Sequence, residues 1–190
     1  MVLLESSFEV PVPPEEAWDL LMDVPRVIPC MPGAALKETI DDASWKAEMD
    51  VKLGPVALVF ATDLHRAEAD RGALRAVLAA DARELRGRGA GKARIESSLV
   101  PQEGGTRVVI HADLTLSGPV AQTGRGLVQA VSAQLVDSFA TCLAAQLTGS
   151  PEKAAAAVAT QSAPVRGDSL ALRALIQRLT RLFRRRPGRT

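Results

Sequence analysis

From Trp45 onward the chain alternates with a period of two. Trp45, Ala47, Met49, Val51 and Leu53 alternate with Lys46, Glu48, Asp50 and Lys52, and Val56, Leu58, Phe60, Thr62 and Leu64 resume the pattern after Gly54-Pro55. A segment with one apolar and one wet face fits an antiparallel sheet that buries a single side. Asp70-Arg71-Gly72 turns the chain into residues 74–80. The Gly/Arg-rich residues 86–92 lead to Ala93, Ile95, Ser97 and Leu99, and Glu103-Gly104-Gly105 precedes Val108, Ile110, Ala112, Leu114 and Leu116. Together with residues 2–10, this predicts about six strands joined by short turns, an antiparallel meander.

After Gly118-Pro119 the period becomes helical. Val120, Gly124, Leu127, Val128, Val131, Leu135, Phe139, Leu143 and Leu147 recur at spacings built from three and four. A helix from Val120 to Leu147 has about 28 residues and spans about 42 Å. Gly149-Ser150-Pro151 stops it. Near the start, Pro14-Glu15-Glu16 opens a short helix whose apolar face is Ala17, Trp18, Leu20, Leu21 and Met22. Residues 24–29 make a second short helix or turn, and Pro32-Gly33 breaks the chain. The order strand, two short helices, run of strands and long helix predicts an α+β fold. Its curved antiparallel sheet wraps around the last helix, because each has a single apolar face to bury.

Charge divides the chain in two. Of 23 Lys/Arg and 22 Asp/Glu, nine basic and two acidic residues fall in 150–190, a net of +7. That leaves 14 basic and 20 acidic residues in 1–149, a net of −6. With 47% hydrophobic and 24% charged residues the chain can bury a core. Cys30 and Cys142 lie far apart and form no metal or redox spacing, so they are expected as buried free thiols in a reducing cytoplasm. The N-terminus lacks a basic stretch followed by an apolar core, so no signal peptide is expected, and no segment reaches the length of a membrane span.

The basic end carries its own pattern. Leu172, Leu175, Ile176, Leu179, Leu182 and Phe183 fall in one arc of a helical wheel, and Arg173, Gln177, Arg178, Arg181, Arg184 and Arg185 fall on the opposite face. Asp168 or Ser169 is placed to cap the start. A short amphipathic helix with arginines across its polar face suits an anionic membrane interface, where each Arg contributes about 1 kcal/mol. Packing on the body would explain the amphipathicity but not arginines across the whole outer face, so a membrane or an acidic partner is expected, with the membrane favoured. Residues 149–168, rich in Ala with Ser, Gln, Thr and Pro, read as a flexible linker spanning roughly 20–25 Å. The expected organisation is a body at 1–148, the linker, a membrane-binding helix at 169–186 and a disordered end at 187–190.

Ile28-Pro29-Cys30-Met31-Pro32-Gly33, Lys52-Leu53-Gly54-Pro55-Val56, Gly87-Arg88-Gly89, Gly104-Gly105-Thr106 and Gly118-Pro119-Val120-Ala121-Gln122-Thr123-Gly124-Arg125 occur in this order and spacing. In them the body resembles the G-subunit family of carbon monoxide dehydrogenase, within the START, polyketide-cyclase and birch-pollen-allergen superfamily of helix-grip folds. The resemblance covers residues 1–148. It implies a hydrophobic cavity between sheet and long helix and an association with molybdenum hydroxylases of the carbon monoxide dehydrogenase type. It also implies a role in tethering such an enzyme to the membrane or in carrying a non-covalently bound quinone, menaquinone or ubiquinone. The superfamily holds carriers and enzymes alike, so fold does not choose between them.

The inward-facing cavity candidates are Trp45, Met49, Val51, Phe60, Leu64, Ile110 and Leu114 on strands and Leu127, Val131, Leu135 and Phe139 on the helix. Met22, Ile28 and Met31 lie near a mouth. The pattern identifies inward faces without measuring empty volume, so a dry core is the competing reading for each. His65 and His111 are single histidines on outer strand faces with no second histidine at ligand spacing. Asp137 and Ser138 lack a base partner. Arg86, Arg88, Lys92 and Arg94, with no aromatic platform, read as a solvated strand face. No catalytic constellation stands out, and the chain is expected to be a non-enzymatic carrier or adaptor. It is placed in the cytoplasm and peripherally on the inner face of the cytoplasmic membrane of a bacterium, coupling its partner enzyme to the respiratory chain. The competing functions are a pure recruitment adaptor with a filled pocket and a small polyketide-cyclase-like enzyme.

The membrane-binding candidates are Leu172, Arg173, Leu175, Ile176, Arg178, Leu179, Arg181, Leu182, Phe183, Arg184 and Arg185. Deleting residues 167–190 is expected to abolish flotation with anionic liposomes. The intact chain is expected to float less as salt is raised, since screening weakens the arginine contribution. Unchanged flotation after deletion would remove the tail from membrane binding.

Overall fold

The computed structural model describes residues 1–53, 56–118, 121 and 125–149. Strand β1, Val2–Val10, is followed by helix α1, Pro14–Met22, helix α2, Val24–Val27, and a 3-10 turn, Ile28–Cys30. Strands β2, Ala34–Asp41, β3, Ser44–Leu53, β4, Val56–Asp70, β5, Arg75–Glu84, β6, Ala90–Gln102, and β7, Gly105–Ser117, come next. Helix α3, Arg125–Leu147, closes the body. All seven strands form one antiparallel sheet in the order β1-β7-β6-β5-β4-β3-β2. The expected α+β helix-grip architecture is what the described residues form.

One strand more is present than the alternation predicts. β2 is an edge strand, and beyond Leu36 each of its residues is exposed. An edge strand pressed on neither side by a packed layer needs no apolar alternation, so Lys37-Glu38-Thr39-Ile40-Asp41 carries no period-two signal. The long helix is described from Arg125, and Gly149 ends it with φ +68°. The expected linker beyond Gly149, the membrane-binding helix at 169–186 and the side chain of Leu127 lie outside the described residues.

The core is densest at one end of the sheet. Val10, Val12, Ala17, Trp18, Ala76, Leu99 and Val108 are buried together there, backed by Phe8, Leu21, Met22 and Ile110. Thr106 donates from its hydroxyl to Val12 O at 2.7 Å and ties β7 to the chain entering α1. Pro14 at the first turn of α1, followed by Glu15 and Glu16, matches the helix start read from the sequence. The C-terminal half of α3 seats against this core, with Phe139, Cys142, Leu143 and Ala145 buried beside Leu20 and Cys30.

Cys30 and Cys142 are joined in a disulfide, with Cα atoms 5.3 Å apart across 112 residues of sequence. This corrects the expectation of two free thiols. Distance along the chain said nothing about distance in space: the 3-10 turn carries Cys30 under α3 and the helix face turns Cys142 down onto it. Gln146, one turn further along α3, donates to Arg26 O at 3.1 Å and reinforces the same junction. Gly33 completes the segment with φ +79°, and a Cβ there would collide with Asp50 O, so a glycine is required where this chain crosses β3.

A cross-link closing so long a loop mainly restricts the unfolded chain, and removing one costs about 2–5 kcal/mol. The paired change Cys30→Ala and Cys142→Ala should lower the free energy of unfolding by that amount in a urea titration. Alkylation of the unreduced, denatured wild type should label no thiol. A fully labelled wild type, or an unchanged titration midpoint in the variant, would contradict this.

Candidate functional site

Strand register fixes which side chains share the concave face under α3. One row runs Val2, Leu114, Ala93, Ala80, Leu64 and Trp45 from β1 to β3. The next runs Leu116, Gly91, Ala82, Thr62 and Ala47. The middle of both rows is floored by small residues, and Ala80, Ala82, Gly91, Ala93 and Thr62 are only half-buried. α3 approaches β1, α1 and the 3-10 turn most closely. Its described side chains Val131 and Leu135 are likewise half-buried. The middle of the sheet therefore keeps part of its small-residue surface accessible.

The cavity candidates separate into groups. Trp45 and Ile28 are buried with Val24 and Ala47, and Leu64 packs against them. Phe139 is buried with Cys30 and Cys142, and Met31 packs against that cluster. Met22 and Ile110 back the dense core. Met49, Val51, Leu114, Val131 and Leu135 are half-buried, and Phe60 beside them is buried. The structure therefore brings Met49, Val51, Phe60 and Leu114 to the sheet side and Val131 and Leu135 to the helix side, while Trp45, Ile28 and Phe139 are packed into walls. The crevice lined by Val10, Ala17, Leu20, Leu21, Val108, Leu143 and Leu147 has no room for a water molecule.

Two features of this face were not read from the sequence. The first is the alanine floor: Ala82, Ala93 and Ala112 are too small to stand out as lining residues, and only their alternation with Asp81, Arg83, Lys92, Arg94 and Asp113 marks them as inward. The second is Arg66, at the β4 irregularity between Arg66 and Glu68. Its guanidinium donates to Met22 O at 2.9 Å and to Asp42 O, and lies 5.4 Å from the centre of the Trp45 ring. It clamps α1 to the β2–β3 turn and holds Trp45 as a wall. Its donors are thus engaged by backbone.

The outer face carries a network of ion pairs. Arg75 bridges Glu96 at 2.7 Å and Glu68 at 2.7 Å, and Arg94 joins Glu68 at 2.9 Å. These contacts hold Glu68 and Glu96 below the ordinary glutamate range. His65 and His111 are exposed on this face, as their strand positions predict, and His65 Nδ1 lies 3.2 Å from Ser44 Oγ. Among the described residues no group of three or more His, Cys, Asp or Glu side chains is placed to hold a metal ion. Lys92, Arg94 and Arg88 are each paired with a carboxylate, so most of the basic stretch is a paired strand face.

Known proteins share both this architecture and its sequence pattern. The carbon monoxide dehydrogenase G subunit (CoxG) family matches residues 6–148. The chain belongs to this family. Solved structures share its fold: a conserved protein from Geobacillus kaustophilus, 20% identical, covers 78% of this chain and 97% of its own at a TM-score of 0.70. A START superfamily protein from Mycobacterium smegmatis, 16% identical, covers 77% and 97% at 0.51. The ZhuI aromatase/cyclase from Streptomyces sp. R1128, 12% identical, covers 80% and 93% at 0.50. A search of curated proteins returned no match.

In this CoxG-family chain the concave face ends at a charged pair. Glu84 lies on the inward register opposite Phe60 and its side chain is 1% exposed. It accepts from Arg88 Nη2 at 2.9 Å, from Arg86 N at 2.8 Å and from Arg88 N at 3.0 Å. The Arg88 guanidinium, aided by the two backbone N–H groups, outweighs burial and pulls the carboxyl from 4.5 down to about 2. Arg88 also donates to Ala57 O at 3.0 Å, joining the β5–β6 turn to the start of β4. A carboxyl depressed in the folded state adds stability that is complete above its unfolded value and is lost as pH falls toward the folded one. Melting temperature should therefore fall between about pH 4.5 and 2 through this group. Glu84→Gln should melt lower at neutral pH and show a shallower acid decline. An identical acid slope in wild type and variant would rule out Glu84 as its source.

Proposed function

We propose that this protein is a membrane-associated carrier. It holds an apolar ligand, a quinone of the menaquinone or ubiquinone type, between the concave sheet face and α3. It couples a molybdenum hydroxylase of the carbon monoxide dehydrogenase type to the membrane respiratory chain. The observation that carries this reading is the half-buried floor of Ala80, Ala82, Gly91 and Ala93, faced by Val131 and Leu135. Carbon side chains dominate it, and the charged groups at its margins, Glu84 and Arg66, are already engaged by protein partners. Such a surface binds by removing apolar area from water, at about 0.8 kcal/mol per buried CH₂, and an isoprenoid tail supplies many of these.

Membership of the CoxG family supports the association with a carbon monoxide dehydrogenase-type enzyme. Membrane attachment is assigned to residues 169–186 on their sequence pattern, and no helix among the described residues is long and apolar enough to cross a bilayer. A carrier of this kind needs no reacting side chain: it supplies burial and a short path to the lipid. The aromatase/cyclase sharing the fold keeps an enzymatic reading as a competitor, whose mark would be turnover of a bound polyketide.

Native mass spectrometry of the purified full chain, with solvent extraction of the same sample, should find a quinone at about one per chain. Ala93→Trp, which fills the floor, should stay folded by circular dichroism and lose that ligand. A wild type that is empty and takes up no added menaquinone or ubiquinone would favour a filled-pocket adaptor and overturn the carrier reading.

A further inference from the structure

The β5–β6 turn, residues 85–89, projects an apolar side chain between positive charges. Leu85 is 60% exposed. Arg83 and Arg86 flank it, both exposed, and neither makes an ion pair among the described residues. Arg83 sits on the outer face between Ala61 and Ala90, with the exposed Asp63 diagonal to it on β4 but not within ion-pair distance. Two of the other nearby acids are engaged by partners. Asp81 is paired with Lys92 at 2.8 Å and Glu84 is turned inward onto Arg88. Asp50 lies one strand further on, opposite Val59.

The turn is built to hold Leu85 outward. Glu84 N donates to Gly89 O at 2.9 Å, Gly87 N to Glu84 O at 2.9 Å and Leu85 N to Val59 O at 2.9 Å. The Glu84 carboxylate fixes Arg86 N and Arg88 N from beneath. Gly118 packs so tightly on the turn that a Cβ would come within 2.8 Å of Arg88 O. The turn thus sits where β7 leaves the sheet to reach α3.

The geometry points to this turn as a docking element for an anionic phospholipid surface, with Leu85 entering the headgroup layer and Arg83 and Arg86 meeting lipid phosphates. This rests on the membrane part of the proposed function. Charge complementarity favours lipid: two unpaired arginines around one projecting leucine match a surface of fixed negative charge with an apolar interior. They fall far short of the roughly 800 Å² per partner that a stable protein interface needs. Alone the turn binds weakly, but tethering by a lipid-bound tail raises its effective concentration at the surface.

The test uses full-length Leu85→Trp and vesicles of phosphatidylcholine, with and without phosphatidylglycerol, carrying brominated acyl chains. The native Trp18 and Trp45 are each 3% exposed and give a low quenching background. Emission from the new tryptophan should be quenched on anionic vesicles and spared on neutral ones. Adding Arg83→Gln and Arg86→Gln should weaken that docking roughly thirtyfold while flotation of the tethered chain persists. A chain that floats with anionic vesicles while the new tryptophan stays unquenched would overturn the docking turn and leave the carrier reading standing. Absence of flotation altogether would overturn both.

Discussion

A seven-stranded sheet presents more inward surface than one 23-residue helix can cover, and the rest of the body follows from that mismatch. The C-terminal half of α3 is committed to the dense end, where Phe139, Cys142 and Leu143 meet α1, β1 and the 3-10 turn. The helix thereby leaves the centre of the sheet to smaller and more distant contacts. Alanine and glycine at 80, 82, 91 and 93 widen that separation where leucine or valine would have closed it. A continuous apolar core of the ordinary kind would have called for large side chains in the same rows. The half-buried middle of the sheet is thus a consequence of where the helix is anchored and which strand positions are kept small.

Anchoring depends on a short segment. Residues 24–33 are stapled to α3 by the Cys30–Cys142 bond and by Gln146, and to β3 by Gly33, whose carbonyl accepts from Asp50 N at 2.8 Å. Met31 lies between the two attachments and packs on the cluster around Phe139. Both sulfurs are buried, with Cys30 1% and Cys142 2% exposed, so exchange with a small thiol requires the helix to lift first. A bond in that position restrains the approach of α3 to the sheet. It also sets aside the argument from free thiols that placed the chain in a reducing compartment.

Much of the fold could be read from alternation because a half-buried antiparallel sheet enforces it residue by residue. β3, β7, residues 56–64 of β4 and residues 93–99 of β6 carry the signal, and β2 escaped because an edge strand exposed beyond Leu36 has no reason to alternate. The site was legible only in part. Met49, Phe60, Leu114, Val131 and Leu135 were found as large inward residues, but pattern does not distinguish them from Trp45 and Phe139, which the tertiary packing turns into walls. The alanine floor carried no size signal. Arg66 carried no motif or period to single it out, and the irregularity after it brings its guanidinium over Trp45 and onto Met22 O. Cys30 and Cys142 needed the three-dimensional path of the chain to meet.

Orientation at a membrane is decided by local charge, not by the total. Residues 1–149 carry a net −6, from 14 basic and 20 acidic residues, so the body as a whole is repelled by an anionic surface. At physiological salt, however, charges beyond about 8 Å are largely screened, so only the groups nearest the lipid are felt. Across much of the outer face those groups are paired: Arg75 and Arg94 with Glu68 and Glu96, Lys92 with Asp81, Lys46 with Glu38. A paired face offers a bilayer no favourable charge, and an acidic one is pushed away. The β5–β6 turn differs because Glu84 is spent internally on Arg88 while Arg83 and Arg86 keep their charge for the exterior. On the proposed docking of this turn, a buried carboxylate that shapes the turn also leaves two arginines without an ion pair among the described residues, beside the point where β7 leaves the sheet.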